Sequence, residues 1–432
     1  MVESSDRNLI RNLFVLYLVL WIFEGALRKW FLPGLSSALL LIRDPVVLAI
    51  YFLALRSRIF PWNAFTAGIF VLAGISYVGS IIGTFSTAQS SLLVTLYGLR
   101  ADFLHLPLIF IMPSVFSRDD VEHFGYWILV LSIPITVLMV MQYSAGGDHW
   151  LNAAAGGEGR QIDSVDGKIR PAATFSFITG TVNFLSLVTA FVIYGMISEN
   201  RYSIWLLCSS AFGLLVSLAV SGSRSAIFSC AIVALGLIPC VCLNRKYLAM
   251  TGRLALIGAV MLLLASQTKY FQEGMGTTTT RFENAGRHES VTLRFLSGFL
   301  DPFDNVGDVP MLGYGLGMGT NAGAKLLTGR VTFLLAEGEW ARLIMESGPL
   351  VGFAIILFRS CLMFYLGYKA LLRARTDCLA LFLFGAMALA ILNGQFGQPT
   401  IQGFATIGAT LCLCAALNTD TPTEQIDESV AG

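Results

Sequence analysis

The feature that most constrains this chain is a succession of apolar runs, each about as long as a helix that crosses a bilayer. A spanning helix needs about 20 apolar residues to traverse about 30 Å of hydrocarbon. Runs of that kind fall near residues 12–31, 35–55, 64–83, 92–113, 124–143, 174–197, 203–220, 225–243, 251–267, 340–367, 378–395 and 400–417. Composition agrees: of 432 residues 55% are hydrophobic and only 13% charged, against about 25% charged in an ordinary soluble domain. A soluble enzyme, a disordered chain and a nucleic-acid binder are excluded, and a net charge of +1 leaves no basic footprint for nucleic acid. The expected fold class is an all-α polytopic membrane protein of about 12 transmembrane helices with one large loop on its outer side.

The runs divide the chain into a nine-span bundle over 1–267, with a short outer loop near 144–173, a large loop over 268–339, three further spans over 340–417 and a polar tail over 418–432. The first run has no small-residue cleavage site and is expected to stay as an anchor. Lys and Arg in the connections set the orientation. With the N-terminus cytoplasmic, twelve fall inside (Arg7, Arg11, Arg56, Arg58, Arg118, Arg201, Arg245, Lys246, Arg253, Lys369, Arg373 and Arg375) and four outside (Arg28, Lys29, Arg43 and Arg224). Both termini are therefore expected inside and both long loops outside. The eight cysteines lie in or beside apolar runs and none in a long loop, so neither a disulfide framework nor a thiolate metal site is expected.

The large loop concentrates the polar chemistry. Arg281, Arg287 and Arg294 recur every six or seven residues, a spacing that brings two or three of them roughly to one side of a helix. With no acidic cluster to hold a metal, they suit an anionic leaving group such as a diphosphate, since guanidinium is a planar, permanently charged fork. Alternatively they pair with Glu283, Glu289 and Asp301 on a solvated surface. The glycine run Gly313-Tyr314-Gly315-Leu316-Gly317-Met318-Gly319 follows no strand–helix pattern, so it is a turn, either simply flexible or presenting backbone N–H groups to phosphate oxygens.

At the end of the loop stand Glu337, Glu339, Arg342 and Glu346. The last three are spaced i,i+3 and i,i+4 and share a helix face. They read either as an interfacial salt-bridge network or as a site in which Glu339 or Glu337 is a general base. Arg224, in the tight connection Ser221-Gly222-Ser223-Arg224-Ser225, begins a helix on the face where positive charge is disfavoured, next to anion-binding amides. Charges within spans cost a few kcal/mol and default to function or pairing. Glu24, Arg43, Asp44, Arg100, Asp102, His105 and Arg359 are such charges, with Arg43 and Asp44 expected to pair and Arg100 to pair within the bundle or face a groove holding a lipid-linked phosphate.

Four of these segments together carry a resemblance. Ser-Gly-Ser-Arg-Ser-Ala (221–226), the Arg-bearing loop, Pro-Met-Leu-Gly-Tyr-Gly-Leu-Gly (310–317) and Glu-Trp-x-x-Leu-x-x-Glu-x-Gly (339–348) resemble the O-antigen ligase/polymerase family of bacterial membrane glycosyltransferases over roughly residues 90–400. The resemblance implies a C-class glycosyltransferase-like helical bundle in the bacterial inner membrane. It implies an undecaprenyl-diphosphate-linked glycan as donor and a glycan or lipid as acceptor, with no metal or other cofactor. A chain-length regulator or export complex is a further expected partner. Carried onto this sequence, the resemblance implies that Arg224, Arg281, Arg287 and Arg294 bind the diphosphate; apart from the resemblance, Arg342 and Arg100 are further candidate ligands. Ligase members usually place His-Asn where this chain has Gly338-Glu339, and that histidine is their proposed base; here Glu339, or His288 upstream, takes the role, with Glu337 a further candidate. The departure points to a polymerase of exopolysaccharide or O-antigen repeat units, with a glycan ligase and a transporter or flippase of lipid-linked sugar as alternatives.

Overall fold

The structure is a computed structural model that describes residues 2–87, 91–156, 161, 168–198, 201–288, 291–303, 306–330 and 332–417, with the side chains of 2–4, 84–87, 281–288, 291–295 and 301 outside that description. The described residues form helices joined by turns. In chain order they are α1 (Val2–Ala26), α2 (Ser36–Leu39), α3 (Asp44–Arg56), α4 (Ala64–Thr87), α5 (Leu92–Leu99), α6 (Leu108–Ile111) and α7 (Arg118–Ser144). Then come α8 (Ile178–Ile197), α9 (Ile204–Ser221), α10 (Arg224–Leu235), α11 (Leu237–Leu243) and α12 (Lys246–Ser266). The large loop contributes α13 (Lys269–His288), α14 (Val291–Leu300) and α15 (Asn321–Thr328), and α16 (Glu339–Arg373), α17 (Leu379–Asn393) and α18 (Pro399–Leu417) complete the bundle.

Among the described residues eleven segments are long and apolar enough to cross a membrane, so the chain is an all-α polytopic membrane protein. The remaining apolar run, expected over 378–395, is α17, which at fifteen residues is shorter than a perpendicular crossing needs. Burial orders the bundle. In α8 the apolar window is 94% buried and in α18 78%, whereas in α12 it is 6%. Helices apolar all round sit at the centre of a bundle or face lipid, so α8 and α18 are the hub and α12 is peripheral. Small residues let helices approach: a Cβ on Gly125 of α7 would meet the Phe191 ring of α8 at 2.3 Å.

Helix boundaries follow local chemistry. Ser117 and Asp120 form a reciprocal capping box at the start of α7, and Ser91 caps α5. Gly222 ends α9 in the left-handed conformation, φ 54°. Two π-helical turns, Leu27–Phe31 and Arg100–Leu104, interrupt the regular ladder. Such turns re-aim side chains and concentrate at functional positions.

The largest departure from a simple bundle is in α16. Gly348 adopts φ 79°, ψ 165° and Pro349 follows it, so the helix folds back sharply. The limb 339–347 lies along the limb that begins at 349. A Cβ on Gly352 would fall 2.6 Å from the Ile344 Cα, so the two limbs touch backbone to backbone. The single span expected over 340–367 is therefore an elbow followed by a span.

Candidate functional site

Helix polarity puts the ends of α7 and α9, the starts of α10 and α16, and the large loop at one end of the bundle, here the loop end. The elbow is held there by charge. Arg342 Nη2 donates to Asp102 Oδ1 at 2.6 Å and Nη1 to Glu346 Oε2 at 2.7 Å, while Nε donates to Glu339 Oε2 at 2.8 Å. Arg359 Nη1 donates to Glu339 Oε1 at 2.6 Å, and the Phe396 amide donates to the same oxygen at 3.2 Å. The other donors of Arg359 reach the carbonyls of Ile391 and Gly394 at 2.7 and 2.8 Å, supplying the end of α17 with partners. None of these five charged side chains is more than 4% exposed. Three carboxyl groups and two guanidinium groups thus share one dry cluster, stable only while each keeps its partners.

The i,i+3 and i,i+4 pairs expected at Glu339, Arg342 and Glu346 do form, but as buried anchors of the elbow. Arg342 has no donor left for a diphosphate, since every N–H direction meets a carboxylate. Glu339 is poorly placed as a base, because Oε1 accepts from Arg342 and Arg359, Oε2 accepts from Arg342, and the residue is 1% exposed. Glu337, two residues earlier, is exposed.

The glycine run docks on the elbow. Ending the first limb at Gly348 orphans its last carbonyls, and the Pro349 nitrogen carries no proton. The Tyr314 amide donates to Met345 O at 2.8 Å and the Gly315 amide to Glu346 O at 3.0 Å. Gly319 N–H donates to Glu346 Oε1 at 2.7 Å and Leu316 N–H to Ser80 Oγ at 2.9 Å. These amides close the protein backbone and do not offer themselves to a phosphate. Gly313, Gly315 and Gly317 have φ of 70°, 113° and 83°, which is why glycine recurs here.

A second charged cluster lies on the other side of the π turn Arg100–Leu104. Arg100 grips Asp44 through Nε and Nη2 at 2.8 and 2.9 Å and donates to Leu40 O. Its Nη1 is buried without a hydrogen-bond partner among the described residues. His105 joins Asp44 to the Tyr17 hydroxyl at 3.0 and 2.6 Å. Arg43 pairs with Glu24 at 3.2 Å, and Arg28 meets Glu24 and Ser176. The expected Arg43–Asp44 pair does not form, because neighbouring residues on a helix point in different directions. Gln402 of α18 ties the clusters together by donating to the carbonyls of Arg100 and Ala101.

Arg224 is different in kind. It is half-buried at the first turn of α10, and among the described residues it makes no hydrogen bond or ion pair. The loop packs beside it: Thr278 of α13 donates to Ala219 O of α9, and a Cβ on Gly274 would meet that same carbonyl at 2.6 Å. One turn beyond Thr278, α13 carries Arg281. Arg281 and Arg287 are on α13, which ends at His288, and Arg294 is on α14, which begins at Val291. The side chains of Arg281, Arg287, His288 and Arg294 lie outside the described residues. α14 rests on the elbow through Phe299, whose ring meets Trp340 edge-on at 4.9 Å.

Reading the sequence missed the elbow and the role of Arg359 as its lock. The available signal was the Gly348-Pro349 dipeptide, a turn marker inside an apolar run. No protein-family model matches the chain, and no curated protein matches it.

Proposed function

We propose that this chain is a glycosyltransferase of the bacterial inner membrane, a polymerase of lipid-linked oligosaccharide repeat units of the kind its resemblance to the O-antigen ligase/polymerase family implies. Both termini are cytoplasmic in this reading and the loop end faces outward. The donor is an undecaprenyl-diphosphate-linked glycan and the acceptor a sugar hydroxyl.

The observation that carries the reading is Arg224, a guanidinium at a helix start that has no counter-ion among the described residues and adjoins a loop helix bearing Arg281. Fixed positive charge at a helix start suits an anion that gains charge during reaction. The acceptor hydroxyl oxygen attacks the anomeric carbon, the bond from that carbon to the diphosphate oxygen breaks, and undecaprenyl diphosphate departs as the anion. The hydroxyl proton passes to a base. Glu337 is the best-exposed carboxylate of the proposed set, with His288 the other candidate, and Glu339 holds the elbow on which Glu337 stands. Of the proposed phosphate ligands Arg342 is withdrawn and Arg100 keeps a single open donor, Nη1.

A transporter reading rests on the charges inside spans. Asp102, Arg342 and Arg359 are partners of one another or of Glu339, which leaves that reading little to move. The test is purified protein in nanodiscs given undecaprenyl-diphosphate-linked repeat units and excess EDTA. A ladder of glycan lengths with released undecaprenyl diphosphate is expected. A single transfer to an added acceptor would make the chain a ligase, and no turnover with authentic donor and acceptor would overturn the enzyme reading.

A further inference from the structure

At the end of the bundle opposite the loop, two adjoining cavities of about 430 and 440 Å³ share Ser198 and Arg201. They lie where α8 ends, α9 and α12 begin and α16 runs out. The first is lined by Arg201, Lys246 and Arg373 together with Tyr194, Met250 and Asp377; the second adds Arg253 with Ile204 and Leu207. Behind the wall sits Arg118, 2% exposed. Its Nε and Nη2 hold Asp377 and the Tyr194 hydroxyl, and its Nη1 is buried with no hydrogen-bond partner among the described residues. Arg373 Nε is likewise buried and without a hydrogen-bond partner among the described residues. Among the described residues Asp377, held by Arg118, lines this space, and Glu122 lies behind it, meeting Arg118, Arg201 and the Tyr194 hydroxyl. Among the described residues four cationic side chains and one carboxylate line the cavities, with the Arg118–Glu122 pair behind them and apolar Met250, Ile204 and Leu207 beside them.

We propose that these cavities bind the phosphate of an anionic headgroup, with Arg201, Lys246 and Arg373 as its ligands and the apolar wall made by Ile204 and Leu207 of α9 and Met250 of α12 receiving an acyl chain. Charge excess, orphaned guanidinium nitrogens and an apolar flank open to the bilayer fit a phospholipid with a net negative charge better than a neutral one. The inference is independent of the proposed enzyme reaction, since the site lies at the other end of the spans.

Purified full-length protein is titrated in detergent with phosphatidylglycerol or phosphatidylcholine and bound lipid is counted by native mass spectrometry; inorganic phosphate is tested in parallel by thermal shift. Phosphatidylglycerol is expected to be retained about tenfold over phosphatidylcholine. The double variant Lys246→Gln/Arg373→Gln removes two cations without breaking an ion pair among the described residues, and loses about tenfold or more of that retention, the scale of one to two charge-assisted contacts. Arg330→Gln, at the loop end, retains it. Lys246→Gln alone serves should the double variant not fold, with an intermediate loss. Stabilisation by phosphate that the variants abolish, without lipid preference, supports the anion site and overturns its lipid source. Equal retention of both lipids with no phosphate effect, or unchanged binding in the variants, overturns the proposal.

Discussion

Glu339 Oε1 and Arg359 Nη1 are 2.6 Å apart although 20 residues separate them. A straight helix would hold them about 30 Å apart. Their pairing is the consequence of the Gly348 elbow, and it converts two costly intramembrane charges into the lock that keeps the elbow closed. Arg359 also serves the carbonyls at the end of α17, so one side chain fixes the elbow and a helix terminus together.

Removing that lock should be expensive. Arg359→Met leaves Glu339 short of a donor and strips the α17 carbonyls, at a cost of about 3–5 kcal/mol, typical when one partner of a buried pair is lost. Thermal unfolding in detergent should show a large fall in midpoint or loss of folded protein. A midpoint equal to wild type would mean that the elbow does not depend on this pair.

The elbow itself requires glycine. At φ 79° Gly348 tolerates no side chain easily, and a Cβ there would sit 2.0 Å from Met311 O. Gly348→Ala is expected to cost at least about 1–3 kcal/mol from backbone strain alone and to release the glycine run from the elbow. Limited proteolysis between residues 305 and 320 should accelerate in the variant; an unchanged cleavage pattern would argue against the docking.

Arg224→Ala should separate activity from folding. With no partner to orphan among the described residues, its loss should leave protein level and unfolding midpoint near wild type, while glycan polymerisation falls about 10²- to 10³-fold, as for removal of one preorganised transition-state donor. Wild-type polymer from this variant would remove Arg224 from the proposed site.

Glu337 and Glu339 should respond in opposite ways to the same isosteric change. Glu337→Gln keeps the fold and lowers turnover by about 10²- to 10⁴-fold if it is the base. Glu339→Gln weakens two guanidinium contacts and appears first as lost stability. If Glu337→Gln is fully active, His288→Ala is the next variant to assay.

Burial of apolar side chains is additive along a sequence, and so the multi-pass helical class was legible from hydropathy alone. The i,i+3 and i,i+4 geometry of Glu339, Arg342 and Glu346 was legible for a similar reason, since helical spacing is local. Partner choice among the buried charges was not. Arg43 and Asp44 are adjacent yet reach Glu24 on one side and Arg100 with His105 on the other, because the direction of a side chain depends on which helices surround it. The glycine run was read correctly as a turn, but where its amides point depends on carbonyls freed by Gly348 and Pro349, about 30 residues away. By itself the sequence determined that charged groups would be buried in a membrane bundle and would need partners. Only the tertiary structure decided which partners, since buried charges are satisfied through space while a sequence records only their order along the chain.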